Sequence, residues 1–175
     1  MSFATDYYSI ENLPDGRPVE IRALRPDDRG GLLAAVDRAS AQSLYRRFFG
    51  VRRNFTEQEI NSFSDVNFID HVAIVAVVEE HGRSAIVGGA RYIVLRPAQA
   101  ELAFTVIDEY QGKGIGRKLL RHLVNIARAA GMEELVADVL PENTRMLNVF
   151  AKSGLPSRIE RKTGLVQVTL RLVDP

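Results

Sequence analysis

The stretch that most constrains the fold of this chain runs from residue 101 to residue 131. It begins with a strand pattern, continues with a loop that contains glycines, and ends with a helix pattern. Leu102, Phe104 and Val106 alternate with other residues at the two-residue period of a pleated strand. From Gly114 the apolar residues recur every three or four positions, as they do on one face of an amphipathic helix. Gly131 stands where the helix needs a residue with positive φ to end. The stretch therefore predicts a strand, a tight loop and a long helix.

Glycines at alternate positions, Gly112, Gly114 and Gly116, mark the loop and the first turn of the helix. Glycine costs about 1 kcal/mol relative to alanine inside a helix, so this series requires a reason. Without side chains, the first backbone N–H groups stay exposed, and they have no partner within the helix. The helix dipole makes the same end electropositive, and Arg117 and Lys118 add full positive charge. The pattern favours a cradle for a diphosphate group.

The spacing of the glycines separates this loop from two other phosphate-binding motifs. A P-loop ends in Gly-Lys-Ser or Gly-Lys-Thr after four intervening residues, and this loop does not. A dinucleotide fingerprint has the spacing G-x-G-x-x-G after the first strand of a βαβ unit, whereas the spacing here is G-x-G-x-G. Asp138, on the following predicted strand, is a candidate for a ribose-binding acid, so a dinucleotide ligand stays open as an alternative.

The loop and its surroundings resemble a known family. The sequence QGKGIG at residues 111–116 is similar to the [QR]-x-x-G-x-[GA] signature of the GNAT acetyltransferases, which bind the pyrophosphate of acetyl-CoA there. A strand before the motif, Asn143 at the start of a later helix and AKSGL at the end of that helix match as well. The resemblance covers nearly the whole chain from about Val19. ELAFTV, YQGKGIG and LPENTRML look most like the catalytic domain of bacterial protein lysine acetyltransferases that act on acyl-CoA synthetases.

The resemblance implies an α/β (α+β) domain with the GNAT fold. Its central sheet would be mixed but mostly antiparallel, with about six to seven strands, about four flanking helices and a splay between the two central strands. Residues 1–18 lack periodicity and contain Pro14-Asp15-Gly16, so we expect an N-terminal arm with one turn. Residues 19–175 would form a single domain, because no repeat, low-complexity tract or linker interrupts them.

Hydrophobic periodicity and capping signals predict the other elements. Strands are expected at about 19–24, 71–78, 85–95, 134–139 and 164–173. Helices are expected after Pro26, at about 43–49 and 56–63, and from Asn143 to Gly154.

The resemblance also implies the residues that bind acetyl-CoA. They come from the strand, the loop and the later helix: Phe104, Thr105, Val106, Gln111, Gly112, Lys113, Gly114, Ile115, Gly116, Arg117 and Asn143. The backbone of Val106 would pair with the pantetheine amide, since strand amides left unpaired at a splay can accept a ligand. Asn143 would hydrogen-bond the pantetheine arm, unless it is only the cap of its helix.

Glu101 is the candidate catalytic residue. A lysine amine, with a pKa of about 10.4, must lose a proton before it attacks a thioester at neutral pH. Glu101 lies upstream on the strand that leads to the cradle, and Ala103 and Thr105 leave room on the same face. In the subgroup that the chain resembles, a glutamate at this position serves as the general base. The alternative is a glutamate that faces solvent at the start of a strand.

No general acid is visible in the sequence. Many GNAT enzymes place a tyrosine on the helix that begins at Asn143, and the corresponding residue here is Phe150. Solvent could then protonate the leaving thiolate. The three histidines, His71, His81 and His122, are scattered, so no metal site is predicted.

Composition excludes several classes of function. The formal net charge of +1 gives no global field to attract nucleic acid or an anionic membrane. The absence of cysteine excludes disulfides, thiolate metal sites and a cysteine nucleophile. No apolar run is long enough to span a bilayer and the N-terminus lacks a signal-peptide pattern, so we expect a cytoplasmic protein. The segment LYRRFFGVRRNF could be a nucleic-acid patch, but the near-neutral charge favours a surface helix.

The function expected from the resemblance is an acetyl-CoA-dependent N-acetyltransferase that transfers the acetyl group directly to a primary amine. The first choice of acceptor is a lysine side chain of a protein. A small-molecule amine acetyltransferase is the second hypothesis, because a fold does not fix the substrate. A non-catalytic CoA or nucleotide sensor is the third, and Glu101 argues against it. The expected partners are acetyl-CoA and the amine acceptor, with neither nucleic acid nor membrane, for a monomer or a homodimer.

Overall fold

The computed structural model of the chain describes residues 3–38 and 66–173. The strands are β1 Tyr8–Asn12, β2 Pro18–Ala23, β3 His71–Glu80, β4 Arg83–Arg96, β5 Gln99–Val106, β6 Glu134–Val139, β7 Ser157–Lys162 and β8 Leu165–Arg171. They form one eight-stranded sheet with the strand order β1-β2-β3-β4-β5-β6-β8-β7. The α-helices are α1 Arg29–Arg38, α2 Ile115–Ala129 and α3 Thr144–Ala151, and short 3₁₀ turns cover Pro26–Asp28 and Asp108–Tyr110.

The sheet divides at its centre. All neighbouring strands are antiparallel except β5 and β6, which run parallel. Their pairing covers only Gln99–Glu101 against Glu134–Val136, although β5 continues to Val106 and β6 to Val139. The two strands therefore diverge beyond Glu101, and the predicted splay of a GNAT sheet is confirmed.

Helix α2 packs its apolar stripe on one face of the sheet. Leu119, Leu123 and Ile126 are almost completely buried, in one core with Ile74 of β3 and Leu102 of β5. Burying a large aliphatic side chain contributes about 1.5–3 kcal/mol, so this stripe fixes the position of the helix on the strands. Only the 3₁₀ turn and the short glycine loop separate the helix from β5, so its N-terminus is held beside the splay.

Helix α1 lies on the opposite face of the sheet. Leu32 and Ala35 pack there against a second core cluster that contains Val75, Val77 and Ile86. No helix within residues 3–38 and 66–173 is long and apolar enough to cross a membrane.

The sheet has one or two strands more than predicted. The prediction of an arm over residues 1–18 is wrong for Tyr8–Asn12, because these residues form β1 and pair antiparallel with β2. The predicted turn follows it, where the Gly16 N–H donates to the Leu13 carbonyl at 2.8 Å. Strand β7 is exposed along its whole length, so it carries no apolar alternation that could predict it. The division into an arm and one domain otherwise stays a prediction.

Three α-helices occur in the described part of the chain, against about four predicted. The helices expected at about 43–49 and 56–63 lie outside the described residues, as does the arginine-rich segment around them.

Candidate active site

A cleft of about 380 Å³ opens at the splay, between the C-terminal half of β5, the N-terminus of α2 and helix α3. The predicted cofactor-binding residues that line it are Phe104, Thr105, Val106, Gln111, Gly112, Gly114, Ile115, Gly116, Arg117 and Asn143. Lys113 is the predicted residue that does not line it, and its Nζ lies 5.7 Å from the centre of the Tyr110 ring. The sequence prediction missed five lining residues: Tyr110, Arg145, Met146, Asn148 and Val149.

The glycines of the loop serve two different purposes. Gly112 and Gly114 adopt positive φ angles of 77° and 84°, which other residues reach only with strain. Gly114 is the N-cap of α2 and provides no side-chain cap, so no cap of that kind covers the first-turn N–H groups. Gly116 lies within the first turn, where a Cβ would come within 3.3 Å of the Phe104 ring. Two glycines thus shape the loop, and the third permits close packing of α2 on β5.

The side chain of Gln111 braces the cradle. Its Nε2 donates to the Val106 carbonyl at 2.9 Å, and its Oε1 accepts from Arg145 Nη1 at 2.7 Å. The glutamine of the signature therefore links the end of β5 to helix α3. The backbone of Val106 was predicted to pair with the pantetheine amide, and its carbonyl accepts this bond from Gln111. Arg145 lies two residues after Asn143, and its position in the first turn of α3 is the signal that could have identified it.

Helix α3 contributes Asn143 to the cleft but keeps Phe150 out of it. Asn143 is buried and caps the helix, since its Oδ1 accepts from the Met146 N–H at 3.3 Å. Capping and ligand binding are compatible, because the same residue lines the cleft. Phe150 is buried edge-on against Phe104, with 5.7 Å between the ring centres. It does not line the cleft, and its phenyl ring carries no acidic hydrogen, so the residue itself is not a general acid.

Glu101 lies at the last paired position before the splay. It is exposed, stands opposite Ile93 of β4 and Val136 of β6, and does not line the cleft itself. It shares its face of β5 with Thr105, which does line the cleft. The two residues are four positions apart, about 13 Å along an extended strand. A donor that runs along β5 from the cradle would approach the carboxylate from this direction.

A network of charged and polar side chains holds the 3₁₀ turn that precedes the glycine loop. The Tyr110 hydroxyl donates to Glu80 Oε2 at 2.6 Å, and both Arg38 Nη atoms donate to the Glu80 carboxylate at 2.7 and 3.1 Å. Arg38 also pairs with Glu109 at 3.0 Å. These contacts join the ends of α1 and β3 to the 3₁₀ turn that precedes Gln111. The hydrogen bonds from Arg38 and then Tyr110 lower the pKa of Glu80 from 4.5 to about 2.

Substituting Glu80 by glutamine is expected to lower the stability of the fold at pH 7. It should also weaken the loss of stability that occurs as the pH falls. The lowered pKa means that ionised Glu80 stabilises the fold above pH 4.5 and that this contribution is lost as the pH falls towards 2. The melting temperature of Glu80→Gln should therefore lie below that of the natural protein at pH 7, and the difference should shrink between pH 4.5 and 2. Thermal melts across this pH range measure the difference.

The matched control is Glu109→Gln, which removes an exposed partner of the same arginine. Exposed ion pairs contribute about 0–1 kcal/mol, so its effect should be small at every pH. If the melting temperatures of Glu80→Gln and the natural protein differ by the same amount at every pH down to 2, ionised Glu80 does not stabilise the fold in this way.

His122 is buried, although the sequence places it on a polar or boundary face of its helix. The Tyr7 hydroxyl hydrogen-bonds His122 Nδ1, and His122 Nε2 lies 3.4 Å from Glu11 Oε2. Burial lowers the pKa of the imidazole despite the nearby carboxylate. This cluster joins β1 to α2 away from the cleft. Within the described residues, no group of three or more His, Asp or Glu side chains could hold a metal ion.

A sequence profile described as the acetyltransferase (GNAT) family matches residues 38–155, which is more than half of the chain. The chain belongs to the GNAT acetyltransferase family. The geometry agrees, because the GNAT signature forms the N-terminus of α2 at the splay of the sheet.

Two curated relatives that are named acetyltransferases resemble the chain. It is 35% identical to an acetyltransferase of Pseudomonas aeruginosa over 146 residues, which are 83% of this chain and 78% of that protein. It is 32% identical over 136 residues to the acetyltransferase Pat of Mycolicibacterium smegmatis. That match covers 77% of this chain but only 40% of Pat, so the chain spans less than half the length of that relative.

A solved GNAT structure shows the same architecture. The GNAT domain of S. lividans PAT superposes on this chain with a TM-score of 0.84 and 27% identity, over 94% of this chain and 96% of that domain. The predicted fold class, the family, the resemblance to the bacterial Pat proteins and the classification as an acyltransferase are therefore confirmed.

Proposed function

We propose that this GNAT protein transfers the acetyl group of acetyl-CoA to a primary amine, in the first place a lysine side chain of a protein. The observation that carries the proposal is the cleft at the splay. The N-terminus of α2 lies there without a side-chain cap, next to Arg117, and β5 leads from it towards Glu101. A helix N-terminus with exposed N–H groups suits the diphosphate of CoA.

Each step of the transfer can be assigned to a group of this chain or to solvent. Glu101 accepts a proton from the acceptor ammonium, which frees the nitrogen lone pair. The amine then attacks the thioester carbonyl carbon, the C–N bond forms, and the C–S bond breaks as the thiolate leaves with the bonding electron pair. The nitrogen is positively charged after the attack, and it loses its second proton to solvent to give the neutral amide. Phe150 carries no acidic hydrogen and is buried, so the proposal assigns protonation of the thiolate to solvent.

The test is to incubate the protein with acetyl-CoA and a cell lysate and to map new acetyl-lysines by mass spectrometry. We expect a limited set of sites that is absent when Glu101→Gln replaces the natural protein. A parallel panel of small amines, with release of free CoA as the readout, tests the second hypothesis, which is that the acceptor is a small-molecule amine. Tight CoA binding without acetylation of any lysine or amine would contradict the proposed transfer and would favour a sensor.

A further inference from the structure

Arg91 on β4 is half-buried, and it forms neither a hydrogen bond nor an ion pair with any residue in the described ranges 3–38 and 66–173. Other arginines with restricted exposure have partners, as Arg22 has in Asp28 and Arg38 has in Glu80. Buried charges in proteins are normally paired, because removing an unpaired charge from water is unfavourable. Burial lowers the pKa of the Arg91 guanidinium, and Glu101 supplies the opposing negative field. A guanidinium that has no direct hydrogen bond or ion pair among these residues is available to bind a ligand.

The strand register places Arg91 between the candidate base and the cleft. Arg91 stands opposite Ala103 on β5, one row from Glu101 and one row from Thr105. Residues that face each other across strands share a face of the sheet, so all of these side chains lie on the same side. Arg91 therefore lies beside the path from the cleft to Glu101.

The residues beside Arg91 on the adjacent strands are small. Its neighbours on adjacent strands are Ala73 and Ala103, and the next row towards the cleft contains Gly89, which has no side chain. In that row the Thr105 hydroxyl oxygen is buried and has no hydrogen-bond partner among the described residues. A guanidinium and an unused hydroxyl thus lie in adjacent rows of the same face, with small residues beside them.

We propose that Arg91 selects acceptors that carry a carboxylate close to the reacting amine. The proposal rests on the proposed acetyl transfer and names its substrate class. Diagonal neighbours on adjacent strands lie about 7–8 Å apart, so one acceptor can reach Glu101 with its amine and Arg91 with its carboxylate. Two sources offer this chemistry: a protein lysine next to an aspartate or glutamate, and a free amino acid with its own carboxylate.

The experiment compares acceptors that differ only in that charge. One pair is a blocked peptide containing Lys-Asp and its Lys-Asn counterpart, and the other pair is Nα-acetyl-lysine and its amide. The natural protein should prefer the charged member of at least one pair by about tenfold in kcat/KM, mainly through KM, which is the scale of one charge-assisted hydrogen bond. Preference within the first pair alone identifies a protein lysine, and preference within the second pair alone identifies a free amino acid.

Two variants assign the preference to Arg91. Arg91→Gln should equalise the two members of the pair, whereas Arg91→Lys should retain part of the preference. The control is Arg96→Gln, which removes an exposed arginine at the end of the same strand and should leave the preference intact. If Arg91→Gln does not fold, the proposal is tested on the natural protein, whose preference for the charged acceptor should fall as salt screens the charge.

Failure of this proposal can be told from failure of the proposed function. Equal kcat/KM for charged and neutral acceptors would overturn the role of Arg91 and leave acetyl transfer standing. If no acceptor is acetylated, calorimetric binding of Lys-Asp and Lys-Asn peptides to the CoA-saturated protein tests Arg91 alone. Tighter binding of the acidic peptide that Arg91→Gln removes would support its role without catalysis, and equal binding would overturn it. An Arg91→Gln protein with a lower kcat for both members and unchanged preference would also overturn it.

Discussion

Replacing Glu101 by glutamine is expected to lower kcat at pH 7 by about 10²- to 10⁴-fold and to leave the affinity for acetyl-CoA unchanged. Glutamine keeps the shape of the side chain but cannot accept the proton of the acceptor ammonium. The affinity should not change, because Glu101 lies outside the cleft and upstream of the diphosphate cradle. Steady-state turnover on one acceptor, together with calorimetric binding of CoA, measures both quantities.

The pH dependence separates base catalysis from positioning. The rate deficit of Glu101→Gln should shrink as the pH rises towards the acceptor pKa of about 10.4, where free amine forms without a base. A deficit that stays constant to high pH would assign Glu101 to positioning of the acceptor, and equal activity at pH 7 would remove it from the mechanism. Glu160→Gln is the control, because Glu160 is exposed on β7 at the far edge of the sheet.

Replacing Gly114 by valine is expected to weaken CoA binding by about 100-fold or more. Gly114 lines the cleft, and within the described residues its added Cβ would come within 4 Å of Lys118 Nζ alone, at 3.6 Å, so the rest of the side chain would extend into the cradle. Hydrogen bonds to charged groups contribute about 1.5–3 kcal/mol each, and displacing the diphosphate from two N–H groups accounts for this loss. Isothermal calorimetry with CoA measures it.

The same helix supplies a closely matched control for this substitution. Gly131 follows α2 at its other end, has the same φ of 84° as Gly114, and has open space around its Cβ position. Gly131→Val should therefore suffer a similar backbone strain of about 1–2 kcal/mol and bind CoA normally. If the two variants melt alike and bind CoA alike, the cradle is not at Gly114. The corresponding alanine pair repeats the comparison with less strain.

The strand, loop and helix at the centre of the chain could be predicted because their apolar residues follow the periods of two and 3.6 over many positions. The same logic failed for β1 and β7. Strand β7 is exposed throughout, and β1 is an edge strand without a fully buried position, so neither has an apolar face to show in the sequence. These strands form because they hydrogen-bond to neighbouring strands in the sheet, and a single sequence contains no direct sign of that pairing.

The loop residues of the candidate site were predictable from a local motif, whereas their support was not. Gln111, Gly112 and Gly114 are adjacent in sequence and line the same cleft. The partners of the loop are distant, because Arg145 reaches Gln111 from 34 positions away and Glu80 meets Tyr110 across 30 positions. Arg91 was missed for the same reason, since only the register of β4 against β5 places it beside the path to Glu101.

The splay places a strand edge in the interior of the sheet, and this edge affects how well the protein resists proteolysis. Beyond Glu101, β5 has no partner strand on its β6 side within the described residues, so that side resembles the exposed edge of an incomplete sheet. A ligand bound along it would raise the free energy of unfolding by about 2.7 kcal/mol at a concentration one hundred times its Kd. Proteolysis acts on the open fraction of a protein, and that fraction would fall as the ligand accumulates. The supply of acyl donor would then set the abundance of the enzyme as well as its turnover.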